Sequence, residues 1–176
     1  MIKAVTPTSS AVQDALEIPG RFDILHFACH GLADPNAIWD SGLMMKGRVI
    51  NGEYRPDDLM ASQVEAFADM QEQGQPGPLV FLNACQVGRQ GYNLTGTGGF
   101  AKAFLNSGAG AFISTHWSVG DTPAYDFSKT LYKELLNGKD MMTAVAAARE
   151  AAKNNEEVTW LSYVVYADPH AKVVQG

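Results

Sequence analysis

The chain has 176 residues, of which 46% are hydrophobic and 18% are charged, and its net charge is −6 at pH 7. These values fit one globular domain with a single buried core. The sequence has no basic stripe and no apolar run long enough to span a bilayer, which argues against nucleic acid or a membrane as a partner.

Cysteine use and the N-terminal residues indicate the compartment. Only Cys29 and Cys85 occur, each near the end of a predicted strand. A structural disulfide between them is arithmetically possible, but so few cysteines favour a reduced chain. Residues 1–10 lack the apolar core of a signal peptide. We therefore expect a cytoplasmic protein.

The first half of the chain predicts two strands, two helices and a hairpin. Residues 22–29 are apolar at odd and even positions alike, which is typical of a central strand covered on both faces. In chain order the predicted elements are a strand over 2–5, a helix over 11–18 capped by Thr8, Ser9 or Ser10, a strand over 22–29, a hairpin over 41–52 with its turn at Lys46 and Gly47, and a helix over 55–73.

The second half continues the alternation of strands and helices. Such alternation predicts one α/β domain over residues 1–176, built on a mostly parallel sheet with a β-hairpin insertion. The predicted elements are a strand over 79–85, a helix over 100–106, a strand over 108–117, helices over 124–137 (with Pro123 in the first turn) and 141–154, and a strand over 161–167.

His30 and Cys85 each follow a predicted buried strand. Reactive groups of a parallel sheet gather beyond the carboxyl ends of its strands. The 55 residues that separate the two positions are enough for a crossover to a neighbouring parallel strand. Caspases carry a Q-A-C-[RQG]-G signature with the histidine about 50 residues upstream, and NACQVG around Cys85 matches it loosely. An imidazole and a thiol brought together in this way make a base and a nucleophile.

Four ordered blocks extend this match: HFACHG (26–31), NACQVG (83–88), GTGGFAKAFLNSGAGAF (96–112) and THWSVGD (115–121). Together they resemble a CHAT domain. CHAT domains are caspase-like and related to separase, within the caspase and haemoglobinase group of cysteine peptidases. The resemblance implies a three-layer αβα caspase-like fold. It also implies a protein or peptide substrate and no cofactor.

The resemblance also implies roles for particular residues. His30 matches the catalytic histidine of the family, and Cys85 matches its nucleophile. Gly31 matches the glycine whose backbone N–H forms the oxyanion hole with that of Cys85. A full domain of the family is expected to carry another strand and helix before Ile2. A fragment, a processed piece and a compact variant are three interpretations of this difference.

For His26 and Cys29 we expect structural rather than catalytic roles. Four strand steps of ~3.3 Å place His26 ~13 Å from His30, too far for the two to share one zinc ion. We expect His26 to be a buried histidine with one hydrogen-bonded nitrogen, and no metal site. Cys29 is expected to face the other side of the sheet from His30 and to serve in packing.

Asp121 has two interpretations of equal weight. It precedes Pro123 at the start of a predicted helix, so it caps that helix in competition with Thr122. The stretch 117–121 also resembles the separase segment in which an acid binds the P1 arginine of the substrate. A carboxylate there would pair with a guanidinium through two charge-assisted hydrogen bonds.

The sequence therefore predicts a cysteine endopeptidase that uses a His30–Cys85 dyad. The resemblance further implies activation by a partner or an attached sensor domain. The alternative from another class is a catalytically silent caspase-like module that binds proteins. A nucleotide-binding domain is disfavoured because the glycine-rich loop over 91–99 lacks the Lys-Ser/Thr ending of a P-loop and a G-x-G-x-x-G pattern.

Overall fold

A computed structural model describes residues 3–34, 37–86, 98–153 and 158–173, and at residues 32–34, 37–40, 85, 86 and 98 it describes the backbone alone. Strands and helices alternate over residues 58–136, as the sequence predicts, but among the described residues five strands come in succession over 24–60 and three helices come in succession before the last strand. The strands are β1 (Ile24–Asp34), β2 (Ala37–Met44), β3 (Arg48–Ile50), β4 (Glu53–Arg55), β5 (Asp58–Met60), β6 (Leu79–Gln86), β7 (Ala111–Thr115) and β8 (Tyr163–Tyr166). The helices are α1 (Ser9–Leu16), α2 (Ala61–Phe67), α3 (Gly98–Asn106), α4 (Asp121–Leu136), α5 (Met141–Ala152) and α6 (Thr159–Ser162).

Six of the strands form one sheet in the order β5-β2-β1-β6-β7-β8. The central strands β1, β6 and β7 pair in parallel, while β2, β5 and β8 join by antiparallel pairing. Because β5 is antiparallel to β2, it points the same way as the central three, so four of the six strands share one direction. The prediction of a mixed α/β domain with a mostly parallel sheet is confirmed.

Helices cover both faces of the sheet. Helices α1, α2 and α3 pack on one face, which we call the α1 face, and α4 and α5 pack on the other, the α4 face. On the α4 face, the ring of Phe127 stacks on that of Tyr163 with centroids 3.6 Å apart. Phe127, Leu131 and Leu135 are buried there at helical spacing. The buried core of the α1 face includes Leu16, Leu43, Leu59, Val64, Val80 and Phe104.

The helix predicted over 55–73 is wrong at both ends, because α2 spans only Ala61–Phe67. Residues 58–60 form the edge strand β5, and the helix begins at Ala61. Pro56 and the two acids after it resemble a helix start, but pairing with β2 buries Leu59 completely opposite Leu43. Tertiary packing here overrides the local signal. Residues 3–5, predicted as part of a strand, are irregular.

The hairpin turn predicted at Lys46 and Gly47 is also wrong. Strands β3 and β4 form a separate two-stranded ribbon whose turn is Asn51-Gly52. Both turn residues have positive φ, 53° and 81°. Asn-Gly is the favoured pair for a type I′ turn, because both central residues must adopt the left-handed conformation.

Strand β1 departs from its prediction in length and in burial. It continues past His30 to Asp34 and pairs with β2, so His30 lies inside the strand. On the α4 face, three alternate residues are exposed: His26, Ala28 and His30. Their neighbours Phe27 and Cys29 pack against the core of the α1 face. This part of the central strand is therefore covered on one face only.

Glycines allow the backbones to approach closely at the amino ends of β6 and β7. A Cβ atom at Gly77 would lie 1.8 Å from the carbonyl oxygen of Gly108, and one at Gly110 would lie 2.5 Å from that of Gly77. The Gly110 N–H also donates to the Pro78 carbonyl at 3.0 Å. No side chain fits between backbones at these separations. The two strands are therefore held together below their first residues.

Candidate active site

The two residues of the predicted dyad lie opposite each other. His30 and Cys85 are Cα partners on the adjacent parallel strands β1 and β6. The register is continuous from Ile24 opposite Leu79 up to this pair. Neighbouring strands are about 4.8 Å apart, so the two backbones are close enough for side chains to meet. The prediction that the chain returns to a neighbouring parallel strand is confirmed.

The alternation of side chains places His30 on the α4 face. Leu25, Phe27 and Cys29 pack on the α1 face, and His30 has the opposite parity and is exposed. On β6, Phe81 packs on the α4 face, and position 85 has the same parity as position 81. Both positions of the predicted dyad therefore belong to the α4 face.

Cys29 has a packing role, as predicted. It is a free thiol among Phe27 and its neighbours on the α1 face. Burial raises the pKa of the Cys29 thiol to about 11. A thiol that stays protonated is a poor nucleophile, so Cys29 cannot substitute for Cys85 in the proposed chemistry.

His26 is hydrogen-bonded as predicted, but the prediction that it is buried is wrong. The hydroxyl oxygen of Tyr132 on α4 lies 2.8 Å from Nδ1 of His26. The His26 ring also packs edge-on against Phe81, with centroids 4.7 Å apart. The residue as a whole is exposed, yet its ring is partly desolvated by these two neighbours, and this lowers the pKa of His26.

Gly31, the predicted oxyanion-hole residue, lies inside the sheet. It is buried and is a Cα partner of both Leu43 on β2 and Gln86 on β6. Backbone groups in a ladder are normally occupied by neighbouring strands. In this arrangement the Gly31 backbone is a part of the sheet.

Asp121 is the first residue of α4 and is exposed. The capping prediction is wrong: the N-cap is Gly120, and no side chain supplies a capping hydrogen bond. The carboxylate of Asp121 instead lies in the first turn, where the helix dipole favours a negative charge. Helix α4 follows β7, which is parallel to β6. Asp121 therefore lies beyond the carboxyl ends of the parallel strands, at the same end of the sheet as Cys85.

A family model for the CHAT domain matches residues 3–170. The chain belongs to the CHAT domain family. The resemblance found in the sequence is thus confirmed over nearly the whole length of the chain. A comparison with curated proteins found no match.

Sequence reasoning missed one polar residue of this CHAT domain. Asn83 lies two positions before Cys85 and is the Cα partner of Ala28. Its side-chain Oδ1 is buried and has no hydrogen-bond partner within the described ranges. On the next strand, Thr115 Oγ1 donates to the Ala84 carbonyl at 3.1 Å. The signal in the sequence is a carboxamide within the otherwise apolar run over 79–85.

Other expectations concern metals, membranes and the glycine-rich loop. In the parts of this CHAT domain that the structure describes, no group of three or more His, Cys, Asp or Glu side chains is placed to hold a metal ion. None of the helices found there is long and apolar enough to cross a bilayer. Most of the loop predicted over 91–99, namely 91–97, lies outside the described residues.

Proposed function

We propose that this CHAT domain is a cytoplasmic cysteine endopeptidase with a caspase-like fold, in which His30 is the base and Cys85 the nucleophile. The observation that supports the proposal most is the register of β1 and β6, in which these two residues are Cα partners. His30 is exposed, as a base that meets a substrate must be. A free thiol near pKa 8.5 is mostly protonated at neutral pH, so a base beside it raises its reactivity.

The proposed reaction has two stages. His30 accepts the Cys85 thiol proton while the sulfur attacks the carbonyl carbon of the scissile peptide, and the carbonyl oxygen becomes an oxyanion. His30 then gives the proton to the leaving amine, and an acyl-enzyme remains. Water, deprotonated by His30, attacks the acyl carbon, the C–S bond breaks, and His30 returns the proton to the sulfur as the acid leaves. Each backbone N–H that holds the oxyanion typically contributes ~3 kcal/mol.

Gly31 supports the second part of the proposal, activation by a partner or an attached sensor domain. Its backbone N–H and that of Cys85 are the proposed oxyanion donors. Gly31 is buried between β2 and β6, so the proposal includes a movement of the strands around Gly31 that gives a substrate access to its N–H. A regulator that moves this hairpin would complete the oxyanion hole.

We further propose that Asp121 binds a basic P1 side chain. Its exposed carboxylate lies beyond the sheet edge that carries the dyad. In a peptide library, we expect wild type to prefer Arg or Lys at P1 and Asp121→Ala to lose that preference. Asp126→Ala, on the same helix, is the matched control and should keep it. If wild type and Asp121→Ala cleave the library equally well at every P1 residue, this role is ruled out.

Covalent labelling tests the dyad. A peptidyl chloromethyl ketone is added to the wild-type chain, to His30→Ala and to Cys29→Ser, and the modified residue is located by mass spectrometry. We expect labelling of Cys85 in wild type and in Cys29→Ser, and at least about 100-fold slower labelling in His30→Ala. Labelling of Cys85 at the same rate with and without the imidazole would contradict the proposal.

The second candidate is a catalytically silent protein-binding module, with the same fold and no turnover. The burial of Gly31 within the sheet favours it, because an oxyanion hole that never opens supports no catalysis. An assembly with a bound partner distinguishes the two functions. Unreactive Cys85 in that assembly favours the module, whereas labelling that depends on His30 favours the enzyme.

A further inference from the structure

The side-chain oxygen of Asn83 is an unused acceptor beside the proposed dyad. It is buried, and within the described part of the chain it has no hydrogen-bond partner. Buried polar atoms of proteins are nearly always hydrogen-bonded, so each exception calls for an explanation. One explanation is a donor that reaches this oxygen only when a neighbouring side chain adopts another rotamer or when the site binds a substrate.

The sheet register limits which donors are near. Asn83 has the parity of Phe81 and so belongs to the α4 face of β6. Its direct partner across the ladder is Ala28, which has no polar side-chain atom. The diagonal neighbours of Asn83 on β1 are therefore the residues two positions either side of Ala28, namely His26 and His30. Diagonal neighbours on one face are about 7–8 Å apart, within reach of long side chains.

His30 is the better donor of the two histidines. His26 already shares its Nδ1 with the Tyr132 hydroxyl on α4, and Phe81 on β6 packs against its ring, so two neighbours hold the ring in place. His30 is exposed and lies on the cysteine side of Ala28. In the ladder, His30 is the direct partner of position 85 and a diagonal neighbour of Asn83.

We propose that Asn83 is a positioning residue for the dyad: its Oδ1 accepts a hydrogen bond from one ring N–H of His30 and thereby aims the other ring nitrogen at Cys85. The inference rests on the proposed function, because it assigns a task to the side chain that supports the base. An acceptor on one nitrogen selects the tautomer of a neutral imidazole and also stabilises the imidazolium that forms when the thiol ionises.

Alkylation of Cys85 by iodoacetamide as a function of pH tests the role. We compare wild type with Asn83→Leu, which removes the acceptor, and Asn83→Asp, which keeps an oxygen at that place. Loss of a hydrogen bond to a charged group predicts about 10- to 100-fold slower alkylation of Asn83→Leu at neutral pH. The half-maximal pH should move up in Asn83→Leu, and in Asn83→Asp it should stay or move down. Asn106→Leu, on α3, is the control and should match wild type.

Spectroscopy gives a readout that needs no reactivity. In 15N NMR spectra of the wild-type chain, we expect a hydrogen-bonded ring N–H of His30 that is lost in Asn83→Leu and kept in Asn83→Asp. If the His26 resonances respond instead, the acceptor serves His26 and the inference is overturned. If Asn83→Leu does not fold, wild type and Asn83→Asp are compared: replacement of the amide oxygen by a carboxylate should shift the His30 ring N–H resonance, and an unchanged His30 resonance would overturn the inference.

The controls separate this inference from the proposed function. Alkylation that does not change in His30→Ala means that no dyad forms, and the proposed function fails. Alkylation that slows in His30→Ala but not in folded Asn83→Leu means that the dyad forms without help from Asn83, and only the inference fails.

Discussion

The hydroxyl of Tyr132 and Nδ1 of His26 are 2.8 Å apart, which ties helix α4 to the strand that carries His30. Partial desolvation of the His26 ring by its neighbours lowers its pKa in the folded state. Between that lowered value and the unfolded value near 6.5, the unfolded chain binds more protons than the folded chain. His26 therefore stabilises the fold fully above about pH 6.5, and this contribution is lost as the pH falls through the folded pKa.

His26→Asn tests this dependence. Urea unfolding at about pH 5 and about pH 7.5 should show a smaller difference in the free energy of unfolding for His26→Asn than for wild type. The asparagine keeps an acceptor for Tyr132 but does not titrate. An equal pH dependence in both proteins would mean that other groups cause the loss of stability in acid.

Asp57 holds the start of α1 from outside the helix. Its carboxylate accepts hydrogen bonds from the Ser9 hydroxyl at 2.5 Å and from the Ser9 backbone N–H at 2.8 Å. These bonds hold the pKa of Asp57 below its usual value. Asp57→Asn should lower the free energy of unfolding by about 1 kcal/mol, as the loss of a helix cap does.

The effect of Asp57→Asn should itself depend on pH. A carboxylate with a lowered folded pKa contributes above its unfolded pKa of about 3.9, and the contribution is lost as the pH falls through the folded value. The difference in the free energy of unfolding between wild type and Asp57→Asn should therefore become smaller in acid. Asp58→Asn is the neighbouring control. A gap that is constant with pH would contradict the assigned cause.

Ser114 and Thr115 are adjacent buried hydroxyl residues with opposite expected effects. The Ser114 Oγ has no hydrogen-bond partner in the described residues, whereas Thr115 Oγ1 donates to the Ala84 carbonyl. Ser114→Ala removes an unpaired polar atom, so stability should be unchanged or rise by up to ~1 kcal/mol. Thr115→Val should cost about 1–2 kcal/mol in thermal or urea unfolding. Equal losses in both variants would contradict this assignment.

Cys29 should be silent towards alkylating reagents while the chain is folded. With its pKa raised to about 11, only about one Cys29 thiol in a thousand is ionised at pH 8. Mass spectrometry after iodoacetamide treatment should show Cys29 unmodified in the native chain and modified in urea. Rapid native labelling of Cys29 would show that the core of the α1 face opens easily.

Sequence patterns predicted the parts of the fold that local chemistry decides. Strands β6 and β7 each begin with an apolar run, over 79–82 and 111–113, and α5 has a strong helical period with Asp140 as its side-chain cap. Asn51-Gly52 is itself a turn signal, but the apolar pattern around it predicts the turn at Lys46 and Gly47 instead. The edge strand β5 was not predictable locally, because Leu59 becomes a strand residue only when it pairs with β2.

In the candidate site, too, some features are predictable from the sequence and others depend on tertiary packing. The order and spacing of His30 and Cys85 predicted neighbouring parallel strands, and the register bears this out. The continuation of β1 through Gly31 was not predictable, because it depends on pairing with β2. The burial of Asn83 Oδ1 follows from its neighbours in three dimensions, which one sequence does not contain.

The close approach of Gly77 and Gly110 has a consequence at the far end of the sheet. With the backbones interlocked beneath β6 and β7, these strands cannot slide past each other without a clash of main-chain atoms. The position of Cys85 along β6 is thereby fixed relative to β7. A peptide that enters beside Cys85 would therefore displace β1 and β2 more readily than it would separate β6 from β7.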